Sequence, residues 1–252
     1  MCSGSISMSR QTRNWIAHHV RHHPLCEGFH PPYNFAFGES IDMDKARSHL
    51  GLQKNSKYIL FFGLIRPYKG LDLLLQALTD PRLANAKVNL VIAGECYTDE
   101  QRLHQQLQAL NLHTRVETHI RFIPTDEVPY FFSAADIVVQ PYVHLAGPSG
   151  ITALAYNFLK PVIVTNIGDL PDQVIHEKTG FVVERDPTAI ANAIMTFFQR
   201  SDPTEFTKNI VQYNTEHSWA LLAKHIDTFC LMQVPPHVHA CSQRHKHDAD
   251  HL

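Results

Sequence analysis

No stretch of the chain reaches the roughly 18 to 20 apolar residues that a membrane-crossing helix needs, and residues 1 to 25 lack the apolar centre of a secretory signal. The expectation is a soluble, cytoplasmic protein, with a peripheral position at a membrane left open. Basic runs are also missing. Lys plus Arg number 22 against 24 for Asp plus Glu, a formal net charge of -2, so there is no positive face to attract nucleic acid. Cysteine is sparse: Cys2, Cys26, Cys96, Cys230 and Cys241 are an odd number without metal or disulfide spacing. In a chain of this length they read as free thiols.

The chain does have material for a core. Its 252 residues are 44% hydrophobic and 18% charged, an ordinary globular balance that suits one substantial core or two modest domains. Histidine is the compositional oddity, 18 in all. His18, His19, His22, His23 and His30 lie near the start, and His237, His239, His245, His247 and His251 at the end. Such tracts bind transition metals adventitiously. Neither sits in a helical register with acidic partners, and no metal site is assigned.

From residue 58 onward, apolar runs alternate with amphipathic stretches. Strands are expected at 58–63, 87–93, 119–123, 136–140, 161–165 and 181–184. Helices are expected near 71–79, 99–111, 126–134, 149–159, 170–176 and 187–200. This alternation predicts an α/β fold with a Rossmann-like, doubly wound parallel sheet. The runs from Val88 to Ala93 and from Pro161 to Thr165 are rich in β-branched residues and almost unbroken, as strands buried on both faces should be. Residues 1–52 read as a connector, with Pro24, Pro31 and Pro32 interrupting any long helix and a short helix only from Asp42 to Leu50. The sheet domain is expected over 53–202, C-terminal helices over 203–234, and a disordered, histidine-rich tail over 235–252.

Three glycine-bearing turns fall at the C-terminal ends of these strands, where open α/β sheets bind ligands. The first, Gly63 to Gly70, carries two cations, Arg66 and Lys69, suited to an anion such as a nucleotide diphosphate. In the second, Gly147-Pro-Ser-Gly150 leads into a helix beginning near Ile151. The free N–H groups and dipole of a helix N-terminus favour phosphate or sugar oxygens there. Taken alone, Ser149 and Gly150 are equally an ordinary N-cap and turn. The third is Asn166-Ile-Gly168-Asp-Leu-Pro171, and Pro141-Tyr142 adds an apolar wall. The first turn is not Gly-x-Gly-x-x-Gly, which argues against a dinucleotide oxidoreductase, although Glu95 follows Gly94 after the second strand.

These segments, in this order, resemble the C-terminal half of the retaining GT-B glycosyltransferases of the group 1/family 4 type. The match runs from about Ala46 to Trp219. Its strongest parts are Phe61 to Leu75, Pro129 to Tyr142, and Ser149 to Val174 followed by Thr179 to Val183. The resemblance implies transfer of a sugar from a nucleotide-diphosphate sugar to a glycan or lipid-linked acceptor. It implies no metal and no cofactor beyond the donor substrate. Lys69, with Arg66 standing in for an arginine usually placed where Leu64 is, would bind the diphosphate and stabilise the leaving group. Gly63, Tyr142, Ser149, Gly150, Ile151 and Thr152 would complete the donor site.

The chain departs from the family in two ways. A glutamate pair is replaced by Ala146 and Leu154, with the Ser149-Gly150 turn standing in for the first acidic loop. The acceptor-binding N-terminal lobe is also absent, so residues 1–52 would be its remnant and a partner chain could supply the rest. A noncatalytic nucleotide-sugar-binding module is therefore the alternative.

Overall fold

The computed structural model describes residues 4–144, 147–200, 202 and 204–233. The tail expected to be disordered over 235–252, and Ala146, lie outside the described residues. Along the chain run β1 (Ser5–Ser7), α1 (Arg10–His19), β2 (Leu25–Glu27), α2 (Met43–His49), β3 (Lys57–Phe62), α3 (Leu71–Leu78) and α4 (Pro81–Asn85). Next come β4 (Val88–Ala93), α5 (Glu100–Ala109), β5 (Val116–His119), α6 (Val128–Ala134), β6 (Ile137–Gln140) and α7 (Gly150–Asn157). The chain closes with β7 (Val162–Thr165), β8 (Gly180–Val183), α8 (Pro187–Gln199), α9 (Thr204–Glu216) and α10 (Trp219–Gln233).

Residues 30–217 form one compact unit, built on a six-stranded sheet of order β5-β4-β3-β6-β7-β8 with every neighbour parallel. The doubly wound architecture follows from strands buried on both sides. In β3, Ile59 and Phe61 pack with Leu74, Leu78 and Ile194 on one face. Tyr58 and Leu60 pack with Phe131, Val138 and Ile210 on the other. Successive side chains of a strand point to opposite faces, so an apolar run feeds two cores at once. The order reverses beside β3, and the loops after β3 and β6 therefore meet at the C-terminal edge.

Several boundaries differ from expectation. The strand expected at 119–123 is found at 116–119, because β5 is an edge strand whose register is set by β4 and ends where Ala93 meets His119. The helix expected at 170–176 is a single 3-10 turn, Leu170–Gln173. Residues 30–52 are not free of the sheet unit. Buried Arg47 on α2 donates to the Ala134 carbonyl at 3.0 Å and to Asp136 at 3.0 Å, and the Ile41 N–H donates to Ser133 Oγ.

The second compact unit takes in the described residues up to Phe29 together with those of 218–233. It contains α1, a helix absent from the sequence reading because none of its residues is buried; Ser9 caps it by accepting from the Thr12 N–H at 3.1 Å. Its strands β1 and β2 pair in parallel. The expected block of C-terminal helices is thus divided, with α9 in the sheet unit and α10 in this one. Among the described residues no helix is long and apolar enough to cross a membrane.

Candidate functional site

The loop after β3 is shaped by two left-handed glycines. Gly63 (φ 96°) ends the strand, and a Cβ there would lie 3.3 Å from Ile151 Cδ1 and 3.4 Å from Lys69 Nζ. Gly70 (φ 69°) closes the 3-10 turn Pro67–Lys69, and a Cβ there would sit 1.9 Å from the Pro141 carbonyl oxygen. The Val143 N–H donates to the Tyr68 carbonyl at 2.8 Å. The loops after β3 and β6 are thereby fastened together, and Lys69 is turned inward.

Lys69 is only 7% exposed. Its Nζ lies 5.4 Å from the Tyr142 ring centroid and makes no ion pair or hydrogen bond among the described residues. Burial lowers its pKa below that of an ordinary lysine, and the charge of Arg66 lowers it further. Burial also pushes the Tyr142 phenol up to about 12, so it stays neutral, close to Ser149 Oγ at 3.3 Å. Ser149 caps α7 by accepting from the Ile151 N–H. It is itself pinned by Gln173, whose Oε1 accepts from the Ser149 N–H at 2.6 Å and whose Nε2 donates to the Ser149 carbonyl at 3.2 Å.

A cavity of about 630 Å3 opens over this arrangement, lined by Lys69, Tyr142, Ser149, Gly150 and Ile151, by Tyr68 and Gly147 of the same two turns, and by Tyr33 and Phe62, which the sequence reading had not placed there. A volume of this order suits a small-molecule ligand. Leu154 also lines it. Tyr33 is the least foreseeable member. Its hydroxyl stands 2.6 Å from where a Cβ on Gly150 would be, yet it lies in the stretch read as a connector.

Two expected site residues are placed elsewhere. Thr152 is 1% exposed and its Oγ1 accepts from Gln140 Nε2 at 2.9 Å. One position after Ile151 on a helix is about 100° away around the axis, which turns Thr152 from the cavity toward β6. Arg66 is exposed, with its guanidinium 4.7 Å from the Tyr97 ring centroid. It lines a separate cleft of about 140 Å3 with Asp72, Asp99 and Arg102. Arg66 is the extended N-cap of the 3-10 turn (φ -133°, ψ 153°), outside the register that turns Lys69 inward, so the two cations face different ways.

Residues 42–217 match the family model for glycosyl transferases group 1. The chain belongs to the group 1 glycosyltransferases. It is similar to the D-inositol 3-phosphate glycosyltransferase of Streptomyces avermitilis, 31% identical over 71% of this chain and 41% of that protein. An uncharacterised glycosyltransferase of Methanocaldococcus jannaschii is 30% identical over 76% and 48%. The chain thus spans about half the length of the curated relatives it matches. Among solved structures, HepE of Anabaena in complex with UDP superposes with a TM-score of 0.79 at 22% identity, over 93% of this chain and 65% of that one. The sucrose-phosphate synthase of Thermosynechococcus elongatus gives 0.73 at 23%, over 90% and 57%. This group 1 glycosyltransferase chain therefore has the α/β architecture that the turns and strand runs implied, that of the C-terminal lobe of a GT-B fold.

Proposed function

We propose that this chain is the donor-binding lobe of a glycosyltransferase that takes a nucleotide-diphosphate sugar and passes its sugar, with retained anomeric configuration, to a glycan or lipid-linked acceptor. The observation that carries the reading is Lys69, a buried ammonium with no acceptor among the described residues, facing a cavity beside the N-terminus of α7. A buried cation without a partner is costly, and a diphosphate supplies the missing acceptors. The first N–H groups of α7 and its dipole add to the attraction.

As the bond from sugar to phosphate breaks, negative charge grows on the departing diphosphate. Lys69, itself only 7% exposed, stabilises that charge. The scheme needs no metal and no cofactor besides the donor. HepE of Anabaena is described in complexes with UDP and UDP-glucose, which makes uridine nucleotides the first probes. The acceptor would be held by a further lobe, in the same polypeptide or in a partner chain.

A noncatalytic donor-binding module is the second reading, favoured by Arg66 turning toward Tyr97 and by the apolar Leu154 in the cavity wall. Titration calorimetry with UDP, GDP and ADP tests both. Binding by the natural chain, lost in Lys69→Met, supports the site, whereas no binding of any diphosphate removes it. Turnover of labelled nucleotide sugar then eliminates the inert module.

A further inference from the structure

Asp169, in the loop after β7, is 5% exposed. Its Oδ1 is buried with no hydrogen-bond partner, and its Oδ2 lies 4.0 Å from the point where a Cβ on Gly147 would be. Gly147 lines the cavity. The obvious structural task for this side chain is not performed: Asp169 stands at the N-cap of the turn Leu170–Gln173 but makes no capping hydrogen bond from its side chain. Nor does it form an ion pair among the described residues.

A carboxylate oxygen removed from water without a hydrogen-bond donor is costly, and one held beside a cavity calls for a donor from outside the chain. Metal is a poor candidate, because among the described residues no group of three His, Cys, Asp or Glu side chains could hold an ion. Lys69 and the N-terminus of α7, polar features of the cavity beside Asp169, offer positive charge and donors. Asp169 is acceptor-only when ionised, so it complements the part of a ligand that donates. A diphosphate has only acceptors at neutral pH. Sugar hydroxyls are donors, and they match an acceptor-only carboxylate.

We infer that Asp169 accepts hydrogen bonds from sugar hydroxyls of the bound nucleotide sugar, an inference that rests on the donor-binding reading above. From Gly147 to Gly150 the chain advances three residues, at most about 11 Å. A sugar ring attached to a phosphate at the α7 terminus spans that interval. The hydroxyls belong to the transferred hexose or to the ribose, and the chemistry at Asp169 is the same for both.

The test is titration calorimetry of the full chain and of Asp169→Asn with UDP, GDP and ADP and with UDP-glucose, GDP-mannose and ADP-glucose, alongside thermal melting. A hydrogen bond to a charged group predicts a loss of about tenfold or more in Asp169→Asn. Loss confined to the nucleotide sugars assigns the hexose, and equal loss for the diphosphates assigns the ribose. Because an unpaired buried charge is removed, Tm of the free variant should hold or rise. Unchanged affinities for every probe overturn the inference, as does a weakened affinity accompanied by a fall of several degrees in Tm, which marks a structural role.

A second measurement changes the ligand as well as the protein. Among deoxy analogues of the donor, each lacking one hydroxyl, the one missing the hydroxyl that Asp169 accepts from should bind the natural chain about tenfold more weakly and show no such penalty in Asp169→Asn. Equal penalties in both proteins overturn the inference. A natural chain that binds none of the nucleotides defeats the donor-binding reading itself, a different result from a binder indifferent to Asp169.

Discussion

Lys69 and Arg66 share one turn and are both cations, but their surroundings separate their roles. The buried Lys69 should carry most of the affinity for a diphosphate, and Lys69→Met is expected to lower it about tenfold to a hundredfold. Exposed Arg66 interacts through water, so Arg66→Met should cost less than about fivefold; calorimetry with the preferred nucleoside diphosphate compares the two. The pH dependence follows from the lowered pKa of Lys69. A bound diphosphate favours the charged lysine, so affinity is full below the free protein's pKa and declines as pH rises through it, at lower pH than an ordinary lysine would give. Stability has the opposite sign. Unfolding returns Lys69 to its higher ordinary pKa, so the penalty for burying its charge applies below the depressed value and lifts as pH rises toward the ordinary one. Titrations at a series of alkaline pH values, with Lys69→Met as the reference, check the decline. At Gly70 the backbone is decisive. Gly70→Ala places a Cβ 1.9 Å from the Pro141 carbonyl oxygen in a left-handed conformation, and should cost at least about 2 kcal/mol in urea unfolding. The sequence marked both glycines as turn residues, but which carbonyl Gly70 abuts depends on a loop more than 70 residues away.

At the scale of elements, α2 packs on the sheet unit through buried Ala46 and is tied to it by the polar contacts of Arg47. Arg47 donates to the carbonyls of Ala134 and Lys54 and to Asp136, and Asp136 also accepts from the Tyr58 N–H at 2.7 Å. Burial raises the pKa of Asp136, while Tyr58 and Arg47 act to lower it. Arg47→Ala should therefore destabilise by about 3–5 kcal/mol, because it strands a buried carboxylate. Asp136→Asn in the same background should recover part of that loss, a coupling that urea denaturation of the four proteins measures. None of this is legible in the motif Lys45-Ala-Arg47, which reads as an ordinary helix surface. The strands β3, β4 and β7 were legible because burial on both faces leaves a continuous apolar run. Strand β5 was misplaced because an edge strand with one neighbour carries a weaker pattern, and α1 was missed because it buries nothing. Helix α7 was recognised, yet its facing was not. Ser149, Gly150 and Ile151 reach the cavity, whereas Thr152 turns to Gln140.

Taken as a whole molecule, residues 30–217 have two internal cores on one sheet and enclose every residue of the candidate cavity. A chain of residues 30–217 alone should unfold in a single cooperative transition and keep the diphosphate affinity of the full chain within about threefold; melting and calorimetry check this, and a chain that fails to fold would place essential packing outside those residues. The amino-acid sequence by itself determined the parallel α/β class, the family, and the placing of three glycine turns at strand C-termini, because buried strands, helix stripes and turn chemistry are local patterns. Only the tertiary structure decided which residues of those turns meet. Lys69 faces inward and Arg66 outward, Tyr33 reaches Gly150, and the Asp169 carboxylate stands unpartnered by Gly147, because contacts between loops far apart in sequence depend on strand order and packing, which leave no local signature.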